Sequence, residues 1–206
     1  MNLQNSNLHF YLTDVETSGL SLERNEVTQI SIIRCADRFQ LSKYIKAEHP
    51  ETAHEDALRI TGRTRADLLK GDDKQFVVDA CEKFLEEDGT SPEHRCMVGH
   101  NVHRFDQRFI HRLWEKCGRQ FKSFLWLDTI PFTKAYAKQF GIESPSFNLP
   151  SSLNILKIAS RGDAHNAIVD TQNNYRLFVK LMESGVDYLN HVKRIPHITN
   201  TDNVND

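Results

Sequence analysis

The β-prone run Phe10-Tyr11-Leu12-Thr13 leads into Asp14-Val15-Glu16 and then Thr17-Ser18-Gly19-Leu20, so an apolar strand ends in two acids followed by a turn signal. Side chains two apart on a strand share a face. Asp14 and Glu16 therefore point the same way at the strand end, with Val15 on the opposite side. Two carboxylates held that close repel each other unless a cation sits between them. Taken alone, the pair also fits a solvated acidic turn, which is common after strands.

Two later stretches supply more acids. Cys96-Met97-Val98-Gly99-His100-Asn101 reads as a short buried strand and a loop, followed by a helix to about Cys117. Phe105, Phe109, Ile110, Leu113, Trp114 and Cys117 recur at helical spacing and form its core stripe. Asp106 lies four residues before Ile110, at the edge of that stripe, where an unpaired buried carboxylate is costly. It also fits an ordinary first-turn acid favoured by the helix dipole. The third stretch, Asp163-Ala164-His165-Asn166-Ala167-Ile168-Val169-Asp170, opens another helix with Ile168, Tyr175, Phe178 and Met182 on its apolar side. Residues five apart diverge by well over a right angle on a helix. His165 therefore belongs to the loop or first turn and Asp170 to the helix proper, although a lone histidine there also suits a surface or capping role.

Together these motifs resemble the DEDDh branch of the DnaQ-like 3′-to-5′ exonuclease superfamily, from Asp14 to about Met182. Its Asp-x-Glu-Thr motif stands here as Asp14-Val15-Glu16-Thr17, its Gly-His-Asn to Phe-Asp segment as Gly99-His100-Asn101 and Phe105-Asp106, and its His-x4-Asp as His165 and Asp170. Ile60-Thr61-Gly62-Arg63-Thr64 and Leu127-Asp128-Thr129 match two lesser signatures. Ser18, Thr61 and Arg63 depart from the common pattern at positions that bear on substrate choice more than on chemistry.

The resemblance implies an α/β ribonuclease H-like fold, a mixed sheet of three antiparallel strands plus parallel strands, flanked by helices. It implies a two-metal site for Mg2+ or Mn2+. Asp14, Glu16 and Asp170 would bind one ion, with Asp14 and Asp106 serving the second, and His165 would be the general base. Thr17, Ser18, Gly19 and Leu20 would receive the terminal nucleotide, with Thr61, Asn101 and Phe105 nearby. The expected activity is release of nucleoside 5′-monophosphates from single-stranded or frayed DNA 3′ ends, as in proofreading enzymes. An RNA-trimming relative of the same branch and a non-catalytic partner-binding module are the alternatives.

Composition sets limits on these readings. A chain of 206 residues with 39% hydrophobic content fits one domain with a sizeable core. We expect that domain over residues 1–190 and a polar, flexible tail over 191–206. The formal charge of −2 gives no strong phosphate-binding field, so affinity for long polymers should be modest, leaving room for a protein partner that supplies affinity or processivity. Arg59, Arg63 and Arg65 form the best phosphate-contact cluster, whereas the stripe Arg104, Arg108 and Arg112 reads as a solvated helix face. Cys35, Cys81, Cys96 and Cys117 lack paired spacing, which indicates a reducing cytoplasm. No long apolar span indicates a membrane. His94, Cys96, His100 and His103 fall in one segment, but no second ligand pair accompanies them to make a structural zinc site.

Short connections predict antiparallel neighbours for strands at 8–14, 27–34 and 39–45. Helices are expected at 55–60, 74–86, 104–117, 131–140, 152–159 and 166–184. Further strands are expected at 95–98 and 124–127, with 141–150 as a mobile rim of the site.

Overall fold

The computed structural model describes residues 8–162 and 165–195. Asp163, Ala164 and residues 196–206, which include most of the expected tail, lie outside the described residues. A six-stranded sheet of order β3-β2-β1-β4-β5-β6 forms the centre. Strand β1 (His9–Thr17) pairs antiparallel with β2 (Val27–Arg34), which pairs antiparallel with β3 (Gln40–Tyr44). On its other edge β1 runs parallel to β4 (Arg95–Gly99), and β4 runs parallel to β5 (Leu125–Asp128). This is the mixed, helix-flanked sheet expected from the resemblance.

The alternation of β1 divides its side chains between two cores. Tyr11 and Val15 face α3 (Lys74–Glu86) and α4 (Asp106–Lys116), where they join Val77, Cys81, Ile110 and Trp114. Phe10 and Leu12 face α5 (Thr129–Gln139), α6 (Leu149–Ile155) and α7 (Ala167–Glu183), among Phe132, Leu153, Leu177 and Phe178. Leu177, Phe178 and Leu181 are fully buried, each contributing about 1.5–3 kcal/mol relative to exposure. A short connection carries α1 (Glu55–Thr61) and α2 (Arg65–Leu68), which close a small cluster of Ala47, Ala53, Leu58 and Leu68.

Several boundaries differ from the sequence expectation. Strand β1 continues past Asp14 to Thr17, so both acids lie inside it. Helix α6 starts at Leu149 because the Asn148 side chain accepts from Ser151 N–H and a proline fits the first turn. The tail expected from residue 191 begins instead as β6 (Val192–Arg194), antiparallel to β5. Three mostly polar residues carry no periodic signal, and the strand is held by its backbone pairing to a sheet edge. Helix α2 is likewise too short at four residues to register as a period.

Strand β4 stops at Gly99 because the chain turns back sharply there. A Cβ on Gly99 would lie 2.6 Å from the Val102 side chain and 3.2 Å from Thr13 O. Gly99→Ala should therefore destabilise the protein by about 1–3 kcal/mol, read as a lower urea midpoint, with a larger fractional loss of activity than of folded protein at 25 °C.

Candidate active site

The row Phe10, Leu12, Asp14, Glu16 runs along one face of β1; its last two members pass beyond the apolar packing, and Glu16 borders a cleft. Asp170, one turn into α7, comes from the same side. Oxygens of Asp14, Glu16 and Asp170 all lie within 4.8 Å of one another. Opposite ligands around octahedral Mg2+ are about 4.2 Å apart, so these donors fit one hard divalent cation after a small closure.

Asp106 reaches the same strand from the opposite layer. Pairing of β1 with β4 runs from His9 to Leu12, and beyond it Val15 N–H donates to Asp106 Oδ1 at 3.0 Å. One carboxylate oxygen is thereby committed to structure. Asp106 stands outside the group of three but close enough to Asp14 to raise its proton affinity.

The electrostatics show the strain of this crowding. Burial, then the charges of Asp106, Glu16 and Asp170, push the Asp14 carboxyl well above its usual range. Glu16 is raised to about 8 by burial, Asp170 and Asp106, with Arg63 opposing. Burial takes Asp106 to about 7 against the Val15 N–H. Asp170 is raised by burial, opposed by the His165 backbone N–H, which donates to Asp170 Oδ2 at 2.8 Å.

His165 is exposed, adopts a left-handed conformation (φ 65°) and lines the cleft. The cleft has a volume of about 770 Å³, and Glu16, Thr17, Gly19, Leu20, Thr61 and Phe105 also border it. Leu20 projects into solvent at its edge, 84% exposed. Asn25 braces this turn, its Oδ1 accepting from Ser21 N–H at 2.9 Å and its Nδ2 donating to Thr52 O at 3.0 Å. Close approach of Asn25 requires Gly19, where a Cβ would meet the amide at 2.5 Å.

Two expected contact residues lie elsewhere. Ser18 is buried with its hydroxyl accepting from Glu26 N–H at 2.9 Å, so it shapes the turn from beneath. Asn101 adopts φ 68° with its N–H on Asp128 Oδ1 at 3.0 Å. That left-handed turn sends Asn101 and Arg104 into a second groove, of about 750 Å³, while Phe105 faces the cleft. Arg104, Lys134 and Lys193 line this groove.

Within the arginine cluster, Arg63 is committed to the fold, whereas Arg59 and Arg65 sit in exposed ion pairs. Arg63 donates to Thr28 O at 3.2 Å and Asp67 O at 2.8 Å and lies over the Tyr44 ring. Arg65 pairs with Glu55 at 2.8 Å and Arg59 with Asp56 at 3.1 Å. Nor do the candidate zinc residues converge: Cys96 is buried in the sheet, and His100 Nε2 lies 2.9 Å from Phe147 O. That carbonyl can only accept, so His100 donates to it from Nε2, with Nδ1 lying 2.9 Å from the Thr129 hydroxyl oxygen. This bond ties residues 141–150, expected as a free rim, to the end of β4. Asp128, Thr129 and Asn174 form the network beneath the loop; the Leu127-Asp128-Thr129 signature marked two of them without revealing that role.

An exonuclease family model, RNase_T, matches residues 12–178. The chain belongs to the exonuclease family. This bears out the resemblance of the motifs to the DnaQ-like 3′-to-5′ exonuclease superfamily. The exonuclease fold is shared with the nuclease domain of 3′hExo, a DEDDh family member bound to rAMP (TM-score 0.71, 14% identity, 91% of this chain and 97% of that one). Cell-death related nuclease 4 (CRN-4) is similar at TM-score 0.71 and 15% identity, over 87% of this chain and 66% of its own. Escherichia coli exonuclease I in complex with a dT13 oligonucleotide matches at TM-score 0.70 and 20% identity over 85% of this chain, which spans 41% of its length. No curated protein sequence matches the chain. Among the described residues, no helix is long and apolar enough to cross a membrane.

The crowded carboxyls give a pH prediction for the metal-free exonuclease. Glu16 and Asp106 bind protons more tightly when folded than when unfolded, so folding takes up protons and stability falls as pH rises. The window runs from their ordinary values of 4.5 and 3.8 to about 8 and 7. Urea midpoints in EDTA should therefore decline from pH 5 to pH 8, Mn2+ should flatten the decline, and Glu16→Gln should reduce it.

Proposed function

We propose that this exonuclease removes nucleotides one at a time from single-stranded or frayed DNA 3′ ends, releasing nucleoside 5′-monophosphates. The observation that carries the reading is the convergence of Asp14, Glu16 and Asp170 within 4.8 Å beside a cleft large enough for one nucleotide. Asp14, Glu16 and Asp170 would hold one divalent cation, Mg2+ or Mn2+, and Asp14 with the remaining oxygen of Asp106 a second. Bound there, such ions supply Lewis-acid polarisation of the phosphate and a more acidic water. The protein's own part is to keep these oxygens in place and to position His165, which accepts the water's proton.

Leu20 and Phe105 give the terminal base apolar surfaces, and both border the cleft. Thr17 and Thr61 spend their hydroxyl protons internally, on Gly19 O at 2.7 Å and Ala57 O at 2.8 Å. Each Oγ is left as an acceptor toward the terminal sugar. RNA trimming is the second reading, supported by the likeness to the rAMP-bound 3′hExo domain over 97% of that domain. The strand upstream of the scissile bond would follow the second groove, where Arg104, Lys134 and Lys193 have no carboxylate partner among the described residues. A separate protein partner would supply processivity. The cytoplasm suits the four free cysteines, since burial holds the thiols of Cys35, Cys81 and Cys96 protonated and inert.

The decisive experiment compares 5′-labelled and 3′-labelled single-stranded DNA and RNA with Mg2+ or Mn2+. Stepwise shortening from the 3′ end with mononucleotide products is expected, faster on DNA; internal cuts would overturn the reading. Asp14→Asn and Asp170→Asn should abolish cleavage, as should EDTA. His165→Ala should lower turnover by about 10²–10⁴-fold while Mn2+ still binds. Lys134→Glu should weaken binding of a ten-nucleotide strand and reduce the salt dependence by about one ion; unchanged affinity would place the strand elsewhere.

A further inference from the structure

Gln29 is a polar side chain in the central strand β2, all of whose residues are buried. It pairs in register with Glu16 across the β1–β2 ladder, so the two side chains share a sheet face. At 3% exposure it has no path to bulk water. Its amide is satisfied by the start of α7, in a single arrangement. Ala167 N–H donates to Gln29 Oε1 at 3.3 Å. Ile168 N–H donates to Asn166 Oδ1, also at 3.3 Å, which caps the helix. Because these backbone groups can only donate, both amide orientations are fixed. Gln29 Nε2 is then left to donate to the same Asn166 oxygen, at 3.1 Å, with Ser42 Oγ as a second acceptor at 3.3 Å.

We propose that Gln29 is a positioning residue, a latch that sets Asp170 and His165 against Glu16. The link is short and continuous. Asn166 and Ala167 follow His165 directly, Asp170 N–H donates to Asn166 O at 2.9 Å, and His165 N–H donates to the Asp170 carboxylate. Two residues of this turn are therefore tied to the strand row that carries Glu16, on the neighbouring strand. Further along, α7 is anchored by Thr171, Asn174, Leu177 and Phe178, all buried. Loss of the latch should free the first turn without melting the helix. Two carboxylates from distant parts of the chain, Glu16 and Asp170, must meet within a fraction of an ångström to share a cation, and the latch fixes that distance before the cation arrives. Partners standing behind metal ligands in this way typically change metal affinity or activity by about 10–100-fold when removed.

The inference rests on the metal-site reading above, and its test separates the two. Gln29→Met keeps the length of the side chain and removes its hydrogen bonds. Asn166→Ala breaks the same contact from the other side and serves if Gln29→Met fails to fold. Three readouts apply to the full chain: Mn2+ binding by electron paramagnetic resonance without substrate, hydrogen exchange at the Ala167 amide, and the division of the effect between kcat and KM. Each variant should bind Mn2+ about 10–100-fold more weakly, and at saturating Mn2+ should lose kcat with KM within about twofold of the parent. In Gln29→Met the Ala167 amide should exchange faster, while amides in the second half of α7 stay protected. The double variant should fall no further than the weaker single one, because both remove one latch. Parental Mn2+ binding in Gln29→Met, or a double variant whose loss is the product of the two singles, would overturn the proposal. If the parent protein cut no strand at all, the exonuclease reading would fail, whereas Mn2+ binding and amide exchange would still decide the latch.

Discussion

Like charges crowded at one end of a sheet govern how this molecule is organised. Asp14, Glu16 and Asp170 approach within 4.8 Å, with Asp106 beside them, and burial adds to the cost of ionising each one. Arg63 offsets part of this at Glu16, but its guanidinium is committed to backbone carbonyls and an aromatic ring. Left to itself, such a group would relax by moving apart or by holding protons. The surrounding structure prevents the first: a strand N–H grips Asp106, the His165 backbone grips Asp170, and the Asp14 and Glu16 side chains are fixed by the pleat of β1. What remains is a strong demand for positive charge.

The interruption of the sheet matters as much as the acids. Were β4 to pair with β1 two residues further, the Val15 N–H would join the ladder and Asp106 would lose its anchor. Gly99 and the left-handed Asn101 end β4 at the required point, and Asp128, at the end of the next strand, receives the Asn101 N–H. A motif that reads as Gly-His-Asn is thus a device for stopping a strand and turning its chain toward a helix N-terminus.

What could be read from the sequence follows from the range of each signal. The shared face of Asp14 and Glu16 needs only the two-residue period of a strand. The bounds of β2 and α3 agree with expectation because their apolar residues recur over eight and thirteen residues. Residues whose role is set by one unusual dihedral or by a distant contact were not legible. Ser18 lies beneath its turn and Asn101 lines the second groove because of local turns that no period encodes. Arg63 looked available for phosphate until its carbonyl partners, Thr28 and Asp67, came into view. Gln29 was silent because its partner Asn166 is 137 residues away; a lone amide in a buried strand was the trace it left. Strand β6 offered three residues and no pattern.

The site also straddles the sheet. Asp106 arrives on a helix that belongs to one hydrophobic core and Asp170 on a helix of the other, while the strand between them carries the remaining two acids. Neither core alone can assemble the set. Partial unfolding of either layer would therefore dismantle the set outright, so a half-folded chain holds no complete acid cluster, and the full arrangement exists only in molecules that have completed both sides of their architecture.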